Sequence, residues 1–143
     1  MQTVADFAMK VYRGKDFTGF KGDKVFVESE NAQKAFSKLR ASIAGVYAWR
    51  LGLMKSIPTD AQFQPASEAD RQKLIKEADF AYRQAFALCP YSPEAVFRYA
   101  DFLVGQNRIA DALLVARTSH RIAPGDAMTS SLVQQLEKTA PAK

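Results

Sequence analysis

The chain holds one cysteine, one histidine and one tryptophan in 143 residues. A lone cysteine, Cys89, excludes an intrachain disulfide and any metal site built from several cysteines. A lone histidine, His120, excludes the two-histidine spacings of zinc centres, and no repeated acidic spacing of the calcium-loop kind occurs. Long apolar runs are missing too. The best candidate, ASIAGVYAW from Ala41 to Trp49, is nine residues between Arg40 and Arg50, whereas a membrane-spanning helix takes about 20. The opening MQTVADFAMKVYRGKDF lacks a signal-peptide core, because Asp6 and Lys10 interrupt it. As it stands the chain reads as soluble, and as cytoplasmic for want of a leader.

What is present suits a folded protein. Hydrophobic residues make up 48% of the chain, with ten Phe and five Tyr, which argues against disorder and for one real core. The net charge is +5, and the excess sits early: residues 1–60 carry ten Lys and Arg against six Asp and Glu. A bias of this size attracts nucleic acid only weakly. A small nucleic-acid-binding helical protein is therefore a minor alternative, and no nucleic-acid partner is expected.

Periodicity predicts helices throughout. Val4, Phe7, Ala8 and Val11 put a short helix over 2–12. RGKDFTGFKGDK, with Gly14, Gly19 and Gly22, reads as an irregular loop pinned by Phe17 and Phe20, and VFV at 25–27 reads as a brief extended piece. Phe36, Leu39, Ile43, Val46, Tyr47 and Leu51 form a stripe that predicts a long helix over 31–54, capped by Ser29 or Asn31. Gly45 inside it marks a place for close approach by a neighbour. Ser67, with Asp70 three residues on, starts a helix to Leu88 whose inward positions are Leu74, Ala78, Ala81, Tyr82, Ala85 and Phe86. Ser92, Pro93 and Glu94 start the next, to about 104, with Val96, Tyr99, Ala100 and Leu103 inward. GQN at 105–107 breaks it. Ile109, Ala112, Leu113, Ala116 and Ile122 mark another helix, ended by PGD, and Met128, Leu132, Val133 and Leu136 mark a last one over 127–138. TAPAK reads as a frayed tail.

Pro90 and Pro124 stand 34 residues apart, the length of a tetratricopeptide unit of two antiparallel helices. With Pro93 as first position, Ala100 and Ala112 fall where that family needs small residues, Leu103 and Ile109 at large apolar positions, and Pro124 where it often has proline. Ala78, Arg83, Leu88 and Pro90 repeat the register of Ala112, Arg117, Ile122 and Pro124. Residues 77–126 thus resemble the second helix of one tetratricopeptide unit followed by a complete one. Val96, Ala116 and Ser119 depart from the family pattern. The fold expected is all-α: antiparallel helix hairpins stacked as a short tetratricopeptide-like right-handed superhelix. A single domain would comprise an N-terminal helix and loop (1–30), a long degenerate hairpin (31–89), the repeat unit (92–126) and a capping helix (127–138). The resemblance implies a concave groove that takes a protein or peptide ligand. Arg98, Asp101 and Phe102, off the apolar stripe, are the candidate groove residues.

AFSKLRASIAGVYAWRL and AYRQAFALCPYSPEAVFRYADFLVGQNRIADALLVAR also resemble the soluble C-terminal region of bacterial multi-span membrane proteins, themselves similar to protein O-mannosyltransferases. That resemblance implies a non-catalytic tail outside the cytoplasm, associated with a membrane protein. Neither resemblance brings a catalytic, cofactor or metal residue. His120 lacks a nucleophile context, since Ser119 points about 100° away on a helix. GFKGDK at 19–24 lacks phosphate-loop spacing. Glu77 and Asp79, and Asp23, Glu28 and Glu30, read as solvated, and Cys89 as a buried structural thiol. The aromatics Phe80, Tyr82, Phe86, Tyr91, Phe97, Tyr99 and Phe102 read mostly as core.

Overall fold

Short polar side chains decide where the helices begin. A computed structural model describes residues 1–54 and 57–139. Among them are seven α-helices, a π-helical turn, a 3-10 turn and no strand. Helix α1 (Gln2–Ala8) runs on into the π-turn Met9–Arg13. Helix α2 spans Lys24–Glu28, α3 Glu30–Arg50, α4 Glu68–Leu88, α5 Pro93–Gly105, α6 Ile109–Ile122 and α7 Ala127–Thr139. Ser29 caps α3 by accepting from the Ala32 amide at 3.3 Å, and Ser67 caps α4 by accepting from the Asp70 amide at 3.1 Å. Ser92 precedes α5 without a side-chain cap; Pro93 at the first helical position replaces one donor instead. The frayed tail expected at TAPAK falls mostly on 140–143, outside the described residues.

Two local expectations change. Residues 25–27 are helical, not extended. The Asp23 carboxylate accepts from the Val25 amide at 2.9 Å and starts a five-residue helix. That turn points Val27 inward at 2% exposure and leaves Val25 outside at 72%. Helix α3 stops at Arg50 rather than 54. Gly52, at φ +70°, lets its own amide reach Trp49 O (2.8 Å) and the Leu53 amide reach Ala48 O (3.0 Å), which closes the helix in a Schellman turn.

The larger correction concerns which side of α3 is buried. Half of the predicted stripe faces out: Phe36, Leu39 and Val46 are 55%, 57% and 55% exposed, whereas Leu51 is buried as expected and Ile43 and Tyr47 are half-buried against the core. The buried side holds Gln33, Ser37, Ala41, Ala44, Gly45 and Ala48. These positions lie roughly opposite the stripe around a 3.6-residue turn. The reason is close approach. Helix α3 packs most extensively on α4, whose facing side supplies Ala78, Ala81 and Ala85, each 4% exposed or less. Axes separated by alanines lie at the short end of the 8–10 Å range, and large side chains between them would hold them apart. Two polar contacts fix the rotation. Ser37 Oγ donates to Ala85 O at 2.8 Å, and Gln33 Nε2 donates to Val27 O at 2.5 Å. Tyr91 OH donates to Gln33 Oε1 at 2.7 Å and completes the pair. A slip of one residue would bury these groups unpaired, at about 1–3 kcal/mol each.

Helices α5 and α6 form an antiparallel hairpin at the centre of the core. Ala100 is 1% exposed and Ala112 fully buried, so each lies within the packed helices as the spacing predicts. Val96, Tyr99, Leu103, Val115 and Ala116 surround them. Helix α7 covers α6 with Leu132 and Leu136 but turns Met128 out, 59% exposed, against expectation. Asp126 explains this: it accepts from the Met128 amide at 3.0 Å and from the Thr129 hydroxyl, and so rolls Thr129 inward. On α4, Phe80 is likewise outside at 56% exposure. Helix α1 and the π-turn lie against α6 and α4, where Phe7, Phe17 and Phe20 join Val11, Tyr12 and Val27 in a second apolar cluster.

Ala78→Leu is expected to cost about 1–3 kcal/mol by wedging α4 away from its neighbours, while Leu39→Ser on the outer face of α3 should change stability by about 0.5 kcal/mol or less. Urea unfolding of both variants reads the difference directly.

Candidate functional site

All three residues singled out on α5 line one cavity. It has a volume of about 720 Å³ and opens between the end of α3, its glycine turn and α5. Ala48, Leu53, Met54, Tyr82, Phe102 and Val104 give it apolar walls, and Arg98 and Asp101 give it one charge of each sign. Arg98 and Asp101 are exposed. Phe102 is not the outward residue expected: it is 5% exposed and packs on Tyr82 with ring centroids 5.4 Å apart. Its position on α5 puts it beside Leu103 and Tyr99 in the core, so it serves the cavity as wall.

Local structure positions the two charges. Glu94, one turn before Arg98, pairs with the guanidinium at 3.1 Å. The same guanidinium lies over Gly45 of α3, where a Cβ would come within 3.3 Å of Nη1. Gly45 therefore makes room for the end of an α5 side chain rather than for the close approach of a neighbouring helix. Tyr82 stacks on Tyr99 at 5.7 Å with the rings 15° apart. Burial pushes the Tyr82 hydroxyl up from its ordinary range; Arg98 opposes this and Asp101 adds to it, so both charges act at the cavity floor.

Sequence reasoning missed the other half of this cavity, namely Leu53, Met54 and the turn at Gly52. The signal was the LGLM run after a helical stretch, where a glycine followed by an apolar residue marks a helix end. A second cavity, about 710 Å³, lies between α3, α4 and the connector, walled by Tyr47, Arg50, Gln64, Asp70, Lys73 and Glu77 among others. The connector is held there by Trp49 Nε1 donating to Pro58 O at 3.2 Å and Arg50 Nε donating to Phe63 O at 2.9 Å.

The acidic residues also divide differently from expectation. Asp79 is not solvated: its side chain is 13% exposed and sits in an ionic knot. Arg108 Nη1 donates to it at 2.8 Å, Tyr99 OH at 3.0 Å, and Arg83 pairs with it from one turn away. Arg108 also meets Asp111 at 2.6 Å. The knot joins α4, α5 and the start of α6. Among the described residues no group of three or more His, Cys, Asp and Glu is placed to hold a metal ion. Cys89 is fully buried, as expected, and burial pushes its thiol up from the ordinary range, against a Tyr91 hydrogen bond that lowers it. His120 is half-buried, and its Nδ1 is buried without a partner.

No helix among the described residues is long and apolar enough to cross a membrane. No family model matches the chain, and neither the curated proteins nor the solved structures include a match to it.

Two outcomes follow from this geometry. Asp79→Ala should cost about 1–2 kcal/mol, since it strands Tyr99 OH and two guanidiniums that keep partial access to water; urea unfolding gives the value. Burial raises Tyr12 and Tyr99 above their ordinary value of 10.0. The folded state therefore favours the neutral phenols. The stability they contribute is complete below pH 10 and declines as pH rises beyond it, because only the unfolded chain ionises there. Thermal unfolding from pH 8 to 11.5 should show a fall in Tm that begins near pH 10 and shrinks in Tyr99→Phe.

Proposed function

We propose that the protein is a non-catalytic helical interaction module, tetratricopeptide-like in its hairpin stacking, that takes a peptide segment of a partner protein in the cavity between α3 and α5. One observation carries this reading: Arg98, Asp101 and Phe102, the candidate groove residues of the sequence, all line the same mixed cavity. Its size lies within the roughly 300–1,000 Å³ of ordinary ligand clefts. Apolar walls with two opposite charges suit a peptide that inserts an apolar side chain and sets its register with flanking charges.

The arrangement of the helices supports the reading. In a tetratricopeptide-like stack the groove lies along the first helix of each pair, here α3 and α5. The cavity is lined mainly by α5 and by the end of α3 with the turn after it, Tyr82 of α4 closing one wall, whereas α1 lies against the second helices, α4 and α6. The groove side is thus the side that the N-terminal helix leaves open. The alanines at 78, 100 and 112 are at most 1% exposed, as stacked hairpins require.

Selection of a random peptide library on the immobilised protein tests this. Selected peptides should lose about tenfold or more in affinity, about 1.4 kcal/mol, for Arg98→Glu or Asp101→Lys, with Tm unchanged. Peptides that bind both variants as tightly as the parent protein would place recognition elsewhere.

A further inference from the structure

The outer face of α3 carries an apolar seam that the described residues leave largely uncovered. Phe36, Leu39, Ile43 and Val46 follow one another at steps of three, four and three residues, the a/d spacing of a coiled-coil strand. Phe36, Leu39 and Val46 are each more than half exposed, and Ile43 is half-buried. The seam runs about 15 Å along the helix at 1.5 Å per residue. Phe26 of α2 closes its N-terminal end, edge-on to Phe36 at 5.8 Å. Monomeric proteins rarely leave so regular a stripe of large side chains in water.

Charge says what kind of helix would cover it. From Asn31 to Arg50, α3 carries Lys34, Lys38, Arg40 and Arg50 and no acidic residue. Lys34 pairs with Glu30, and Arg50 is tied to Phe63 O. Among the described residues no ion pair involves Lys38 or Arg40, and both are exposed. A second copy is disfavoured. The seam is centred near residue 41, so two antiparallel α3 helices would set Arg40 of one against Arg40 of the other. We propose that the outer face of α3 docks an acidic amphipathic helix of a different protein, its apolar edge on Phe36, Leu39 and Val46, with a carboxylate on Arg40, which flanks the seam, and further carboxylates reaching Lys38 farther round the helix. This surface is separate from the α3–α5 cavity, and its occupation leaves the cavity open.

The probe is a designed three-heptad helical peptide with Leu at a and d and Glu at e and g, alongside its Lys-for-Glu counterpart. Anisotropy titration of the full chain should show the Glu peptide bound at least tenfold tighter than the Lys peptide, with the gap narrowing in high salt. Leu39→Ser with Val46→Ser should weaken binding tenfold or more while leaving the unfolding midpoint in place, and Lys38→Glu with Arg40→Glu should reverse the preference. Equal binding of the two peptides, no binding of either, or binding indifferent to the seam substitutions overturns the proposal. So does sedimentation as a dimer that the Leu39→Ser and Val46→Ser pair dissociates, or capture by phosphatidylglycerol vesicles without capture of the Glu peptide.

Discussion

Close contact between small side chains is the constraint from which the rest of this structure follows. Ala41, Ala44 and Ala48 of α3 meet a face of α4 that carries Ala78, Ala81 and Ala85, and Gly45 lies under Arg98 of α5. Ala41, Ala85 and Ala95 form a cluster of their own, so three helices touch at alanines. An alanine contact brings little transfer energy per residue. It instead permits short axis separations, and the larger residues behind, Phe86, Tyr99 and Leu103, are fully buried. Specificity is then supplied by polar groups. Ser37 and Gln33 choose the rotation of α3, and Asp79 ties α4 to α5 and α6 through Tyr99 and Arg108.

Burying the small face sends the large one outward. Phe36, Leu39 and Val46 would each contribute about 1.5–3 kcal/mol if fully covered, and the fold forgoes most of that. The exposed seam and the α3–α5 cavity therefore have one origin. Gly45 leaves space for the Arg98 guanidinium, and the end of α3 at Gly52 leaves space for the cavity below it. Both surfaces on which a partner could act arise because α3 approaches its neighbours through its smallest residues.

Most of the helices were legible from periodicity and caps. Ser67 and Asp70, Pro93, and the alanines at 100 and 112 behave as their types and spacing predict. The reading failed where hydrophobicity alone was followed. Ranking α3 by side-chain size selects Phe36, Leu39, Ile43, Val46, Tyr47 and Leu51 as the inner face, because a stripe of large residues is the ordinary mark of burial; Leu51 is buried, but Phe36, Leu39 and Val46 are not. The inner face was written instead in small residues and in two hydrogen-bonding side chains whose partners, Ala85 O and Val27 O, are set by tertiary packing. Asp79 misled for a similar reason: one carboxylate on a helix looks solvated until two arginines and a tyrosine from other turns converge on it. In the cavity, the α5 residues were visible as departures from an apolar stripe. Leu53 and Met54 were not, because their placement depends on a helix end misjudged by four residues.

The rotation of α3 is the claim on which both surfaces rest, and hydroxyl-radical footprinting of the dilute native protein, read residue by residue by mass spectrometry, tests it most directly. Phe36 and Leu39 should oxidise at rates near those of the unfolded chain, while Tyr99, Phe86 and Leu103 are strongly protected. Protection of Phe36 and Leu39 equal to that of Phe86, with the protein sedimenting as a monomer, would mean that the large face is turned inward and would contradict the account.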